Sequence, residues 1–156
     1  MDQHDLKVYF GDLNFRLEEY GVDRIYKLIE AGDWTELKKK DEFYLYRSKE
    51  ELLRTFNEGP ITFPPTYKYQ IGTSQYNRER IPAYTDRVFW SQKSMEQPDQ
   101  MSLYFYNRAE INLSDHKPIL AAFECSVKTV DQQKTRQFRA QLSEEFNRHN
   151  QERLKA

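Results

Sequence analysis

Apolar residues along this chain keep two different rhythms, and the rhythm changes mark its elements. Leu6-Lys-Val-Tyr-Phe10 alternates, which predicts a half-buried strand ending at Gly11. Val22, Ile25, Leu28 and Ile29 then recur at helical spacing, and Gly32 stands where a left-handed cap would stop the helix, predicting residues 22–31. Trp34-Thr-Glu-Leu37 starts a second short helix. Ser48-Lys-Glu-Glu51 reads as a capping box that opens another through Arg54. From Gly59 to Tyr84 the chain is rich in Pro, Gly, Thr, Ser and Tyr, so loop with short strands is expected. Asp86–Trp90 is a strand, residues 91–100 a polar surface loop. Ile119, Ala121, Phe123, Cys125 and Val127 share one face of the clearest strand. Leu120 and Ala122 on the opposite face predict that its first half is buried on both sides. In the tail, Phe138, Leu142 and Phe146 stand four residues apart, predicting an amphipathic helix that packs on the domain or extends toward a partner. The chemistry-bearing domain is therefore 1–130 and the charged helical tail 131–156.

Composition narrows the classes. The 156 residues suit one ordinary domain, and an aromatic content of 15% argues against disorder. Lys+Arg (24) and Asp+Glu (25) nearly cancel, so no overall field steers the chain to nucleic acid. Anion binding must come from local clusters. Cys125 is the single cysteine, which excludes an intrachain disulfide and a multi-cysteine zinc site. With no long apolar run and no signal-peptide pattern at the start, a cytoplasmic protein, peripheral at membranes, is expected.

Three groups of residues carry candidate chemistry. Asp12 and Asn14, just past the first strand, would project to one side of an extended segment while Leu13 points into the core. A carboxylate can take a proton from water while the carboxamide orients the group under attack; the alternative is a local Asx turn. Asp86 shares a strand face with Val88 and Trp90 and needs a buried partner, for which His116 is the candidate. An imidazolium held there would stabilise phosphoryl oxygens; the alternative is that Asp86 pairs with Arg87 and His116 is a loop residue. Lys68, Arg78 and Arg80, with the Tyr67 hydroxyl, suit a second phosphate: in an extended segment Arg78 and Arg80 form a fork and Glu79 faces away. Ordinary surface charge is the other reading of these three.

In order and approximate spacing, Gly11-Asp-Leu-Asn-Phe-Arg16, Glu58-Gly-Pro-Ile-Thr-Phe-Pro-Pro-Thr-Tyr-Lys-Tyr69, Arg80-Ile-Pro-Ala-Tyr-Thr-Asp-Arg87 with Trp90, and Ser114-Asp-His-Lys-Pro118 resemble the inositol polyphosphate 5-phosphatases. The resemblance covers roughly residues 5–127. It implies an α/β fold, the C-terminal half of a four-layer sandwich of the endonuclease/exonuclease/phosphatase type. It further implies that Asp12 activates the attacking water, that Asn14 positions water and phosphate, and that Asp86 orients His116 toward the 5-phosphate. Tyr67, Lys68, Arg78 and Arg80 would hold the 4-phosphate, and Asp115 would lie near a Mg²⁺ site. The substrate would be a phosphoinositide or a soluble inositol phosphate, met at a membrane surface, with no nucleic acid partner. The family's Trp-Asn element, its metal-ligating Glu and a second histidine are not found here. A missing N-terminal half is therefore an expected partner, and the isolated chain is expected to turn over little or nothing. The alternatives are a phosphoinositide-binding fragment without catalysis and a nuclease of the same superfamily.

Overall fold

The computed structural model describes residues 4–92, 101–127 and 129–153. Two compact units divide the chain, Met1–Ser126 and Val127–Ala156.

The first unit is built on strand β1 (Leu6–Asp12) running antiparallel to β3 (Asp86–Gln92), with the short β2 (Asn57–Glu58) on the other side of β3. Register places Val8 opposite Trp90, Phe10 opposite Val88 and Asp12 opposite Asp86, so these six share one face. A second, two-stranded sheet of β4 (Met101–Arg108) and β5 (Ile119–Cys125) lies on that face, where the Trp90 and Phe123 rings meet edge to face at 5.2 Å. On the opposite face, Phe89 stacks on Phe43 at 4.2 Å and Tyr9 meets Phe56. Helices α1 (Val22–Ala31), α2 (Trp34–Lys38), α3 (Glu42–Arg47) and α4 (Glu51–Arg54) fill the connection between β1 and β2. Ile25, Leu37, Phe63, Tyr84, Val88 and Tyr106 form one buried core.

Helix α1 has the predicted bounds, and Gly32 ends it at φ 67° with its N–H donating back to Leu28 and Ile29 carbonyls. The capping box at Ser48 does not form. The Ser48 hydroxyl donates back to the Leu45 carbonyl, and the residue preceding α4 is Glu50, whose side chain makes no cap. Strand β3 runs on through Ser91 and Gln92, which the sequence assigned to a loop; the rest of that loop call, 93–100, lies outside the described residues. Strand β5 is covered on one face only. Ile119, Ala121 and Phe123 pack toward the core while Leu120 is 45% exposed, because no described layer lies beyond the second sheet. Val8 and Phe10 on β1 are exposed as well.

The second unit is helix α5 (Gln132–Arg153). Phe138, Leu142 and Phe146 recur at four-residue spacing along it. No helix among the described residues is long and apolar enough to cross a membrane.

Candidate active site

The end of β1 and the start of β3 create the site. Their register sets Asp12 directly across from Asp86, and the Leu13 amide continues the ladder by donating to the Thr85 carbonyl at 2.8 Å. Alternation along β3 then settles where each polar side chain goes. Arg87 turns to the helical face, where its guanidinium donates to both oxygens of Asp41 at 2.9 Å and to Glu58 at 2.6 Å. Asp86 is thereby left to the other face, and the Asp86–Arg87 pairing considered from sequence does not form.

His116 does reach Asp86. Its Nδ1 lies 3.0 Å from Oδ2, and the same oxygen accepts from the buried hydroxyls of Thr66 (2.7 Å) and Thr85 (2.9 Å). Three donors on one carboxylate oxygen hold the imidazole in a fixed tautomer and orientation. The ring is further set by Tyr67, whose centroid is 4.6 Å away and whose backbone bridges both Ala83 and His116. Neither threonine carries a signal of its own in the sequence; each sits inside a block singled out for neighbouring residues.

Asp12 and Asn14 do not lie on an extended segment. Asn14 adopts φ 61°, a left-handed conformation that asparagine tolerates, and its amide donates to Asp12 Oδ1 at 3.0 Å. The Asx turn therefore exists, and it exists at the site. Leu13 is consequently not driven into the core: it is 39% exposed at the mouth of an apolar groove shared with Tyr9, Phe15, Leu52 and Phe56. The Arg16 guanidinium donates to the Asn14 side-chain oxygen and lies over the Tyr67 ring, 4.9 Å from its centre. Arg16 was quoted only as part of the Gly11–Arg16 block and not singled out as a candidate; with Asn14 left-handed, spacing carries no signal for this contact.

Beside this pair opens a cleft of about 580 Å³ lined by Arg16, Tyr67, Glu79, Arg80, Ile81 and neighbours. Arg80 is in it. Arg78 is not grouped with it: its guanidinium packs over the Tyr26 ring at 5.6 Å. The predicted fork fails because residues 77–80 form a turn, with the Asn77 side chain accepting from the Glu79 amide, so i and i+2 no longer share a side. Glu79 lines the cleft instead of facing away. Lys68 lies 3.9 Å from Asp115, whose other oxygen accepts from the Ser114 hydroxyl.

Among the described residues, no three His, Cys, Asp or Glu side chains converge as metal ligands. Asp115 is spoken for by Lys68 and Ser114. The residues present therefore do not fit a divalent cation on their own.

Comparison with known proteins now has geometry to rest on. The family described as Endonuclease/Exonuclease/phosphatase family 2 matches residues 1–122. Inositol polyphosphate 5-phosphatase K of Mus musculus is 36% identical over 139 residues, covering 78% of this chain and 29% of that protein. Phosphatidylinositol 4,5-bisphosphate 5-phosphatase A of Homo sapiens is 35% identical over 134 residues, 77% of this chain and 13% of that protein. Among solved structures, the inositol polyphosphate 5-phosphatase domain of SPsynaptojanin, in complex with inositol (1,4)-bisphosphate and calcium ion, has a TM-score of 0.77 at 29% identity and covers 97% of this chain and 44% of that one. Cimex nitrophorin, with a TM-score of 0.70 at 24% identity over 81% of this chain, shares the fold alone. The chain thus spans less than a third of these two curated relatives and less than half of the synaptojanin domain.

Proposed function

The chain belongs to the endonuclease/exonuclease/phosphatase family 2, among the inositol polyphosphate 5-phosphatases, and on that premise we propose that it supplies one wall of a site that removes the 5-phosphate of phosphatidylinositol 4,5-bisphosphate-like substrates. The observation that carries the reading is the triply held Asp86 oxygen with His116 upon it, opposite Asp12 and beside a cleft containing Arg16, Tyr67 and Arg80.

In this reading a water attacks the 5-phosphorus in line, its proton passes to Asp12, and the bond from phosphorus to the exocyclic 5-oxygen of the inositol breaks, that oxygen taking a proton from solvent to leave as the 5-hydroxyl. Asn14, its side-chain oxygen engaged by Arg16, presents its NH₂ to water and phosphate. His116, held by Asp86, donates to a phosphoryl oxygen as charge develops there. Arg80, Tyr67 and Lys68 hold the 4-phosphate, and Arg78 joins them only if its turn opens. A divalent cation, Mg²⁺ in this proposal, would supply charge stabilisation if bound. Asp115, which here faces Lys68 and Ser114, would be the carboxylate beside such an ion. The protein would act in the cytoplasm, peripherally at membranes, together with the remaining part of such a domain.

A second reading has one observation in its favour. The cleft lining of Arg16, Arg80 and Tyr67 suits the binding of a phosphorylated headgroup with or without turnover, so a phosphoinositide-binding fragment is that reading. Calorimetry with inositol 1,4-bisphosphate tests the shared core of both: the chain binds it, and Arg80→Ala weakens binding about tenfold or more, the loss of a charge-assisted contact. Failure to bind would sink the assignment. Phosphate release with added Mg²⁺ separates the two readings; the purified chain alone is expected to give little or none, and robust release would make it an enzyme in its own right.

A further inference from the structure

Two exposed aliphatic side chains stand on loops that are otherwise tightly built. The first loop is a hairpin tip: Tyr69 and Tyr76 bridge and stack at 4.3 Å, the Gln70 amide donates to the Gln75 carbonyl, and Gly72 turns the chain at φ 81°. Ile71 sits on that tip, 71% exposed. The second loop, 109–114, is pinned from within by the buried Lys117 ammonium, which donates to the Asn112 side chain. Leu113, the next residue, is 88% exposed. The loops are tied to each other, the Gly72 amide donating to the Asn112 carbonyl at 2.8 Å and Asn112 Nδ2 to the Ser74 hydroxyl.

This pair stands beside the candidate site. The Tyr69 amide donates to the Asp115 carbonyl, and the Asn77 amide to the Lys68 carbonyl, which brings the turn bearing exposed Arg78 and Arg80 to the base of the same hairpin. The acids in the neighbourhood are Glu79, Glu110 and Asp115, of which Asp115 already faces Lys68.

We propose that Ile71 and Leu113 form a paired prong that dips into the surface of a lipid bilayer carrying anionic phosphoinositide headgroups, setting the cleft against that surface. Rigid presentation means that little ordering is lost on insertion. Two aliphatic side chains with flanking cations match the composition of a weak, reversible interfacial anchor. A protein partner fits poorly, since two side chains fall far short of the roughly 800 Å² per side that a specific interface buries. The inference rests on the phosphoinositide reading for its choice of headgroup, but its residues lie outside the groups assigned to chemistry.

The test uses the full chain, the double variant Ile71→Ser/Leu113→Ser, and vesicles of phosphatidylcholine with and without phosphatidylinositol 4,5-bisphosphate. Co-sedimentation with the phosphoinositide vesicles should fall about tenfold or more in the double variant, the loss of two buried aliphatic groups, while calorimetric affinity for soluble inositol 1,4-bisphosphate stays unchanged. Equal sedimentation of parent and variant overturns the prong, as does a parent chain that ignores both vesicles. So does a finding by sedimentation velocity that the double variant only dissolves a self-associated form. Vesicle capture that needs Ile71 and Leu113 but comes without affinity for the soluble ligand keeps the prong and removes the 4-phosphate clamp instead.

Discussion

One carboxylate oxygen organises the candidate site. Asp86 Oδ2 accepts from His116, Thr66 and Thr85, and Thr66 closes a loop by accepting from the Asp86 amide at 3.4 Å. Thr66 thereby fixes both the backbone and the carboxylate that set the imidazole, which makes it a positioning residue. Thr66→Val should lower stability by about 1.5–3 kcal/mol, the worth of a hydrogen bond to a charged group. It should also change the His116 ring tautomer balance read from its ¹⁵N shifts, and Thr66→Ser should restore that balance. Lower stability with unaltered ring shifts would reduce Thr66 to a packing role. At this scale the sequence shows types and not directions. Asp12, Asp86 and His116 stood out only because their blocks resemble one family together; each alone had an ordinary alternative, and for Asp12 and Asn14 the Asx turn is present. The Thr66 partner did not stand out, because a hydroxyl's partner comes from a residue twenty positions away, and the Arg78–Arg80 fork does not form because spacing implies a shared side only in extended chain.

Elements repeat that lesson with packing in place of hydrogen bonds. Helix α1 keeps one period from end to end, so its bounds were legible; β3 was legible only over Asp86–Trp90, because Ser91 and Gln92 are polar and are held in the strand by their pairing with Lys7 and Leu6. Strand β4 was not, because a register shift between Leu103 and Phe105 breaks its alternation. Helix α3 is Glu-Phe-Tyr-Leu-Tyr-Arg, with three aromatics of modest helix propensity, and it is held by tertiary contact, Phe43 stacking on Phe89 beneath the Arg87 guanidinium. Gly59, just after β2, is where the first sheet meets β4: a Cβ there would come within 2.6 Å of both Leu103 and Tyr106 side chains. Gly59→Ala should therefore destabilise the unit by about 1–3 kcal/mol through overpacking. Gly21, at φ −64° with open space around its Cβ position, is the control, and Gly21→Ala should leave stability level or slightly higher. Equal urea midpoints for the two variants would mean that β4 gives way freely at this contact.

At the scale of the whole first unit, the same strand that presents Asp86 to the site anchors Arg87 in the interior. Arg87 and Asp41 are fully buried, and Glu58 adds a second carboxylate that also accepts from the Tyr44 and Tyr106 hydroxyls. These residues come from the loop before α3, from α3 itself, from β2, from β3 and from β4, so the network joins the helical connection to both sheets. Burial pushes the Asp41 carboxyl up to about 6 despite the Arg87 guanidinium beside it, which pulls the other way. Between the ordinary aspartate value and 6, the folded chain therefore holds a proton that the unfolded chain has released. The sign follows: Asp41 contributes most to stability below that window, and its contribution declines as pH rises through it. Asp41→Asn should flatten the dependence of unfolding free energy on pH between about 4 and 6. It should also weaken the fold at neutral pH, since Arg87 then keeps one carboxylate in place of two; removal of a buried partner costs about 3–5 kcal/mol when no other remains, and Glu58 sets this case below that range. Denaturant titrations of both chains from pH 4 to 8 decide the matter. Parallel pH profiles would place the titrating proton elsewhere and leave Asp41 ionised throughout, with Arg87 outweighing burial.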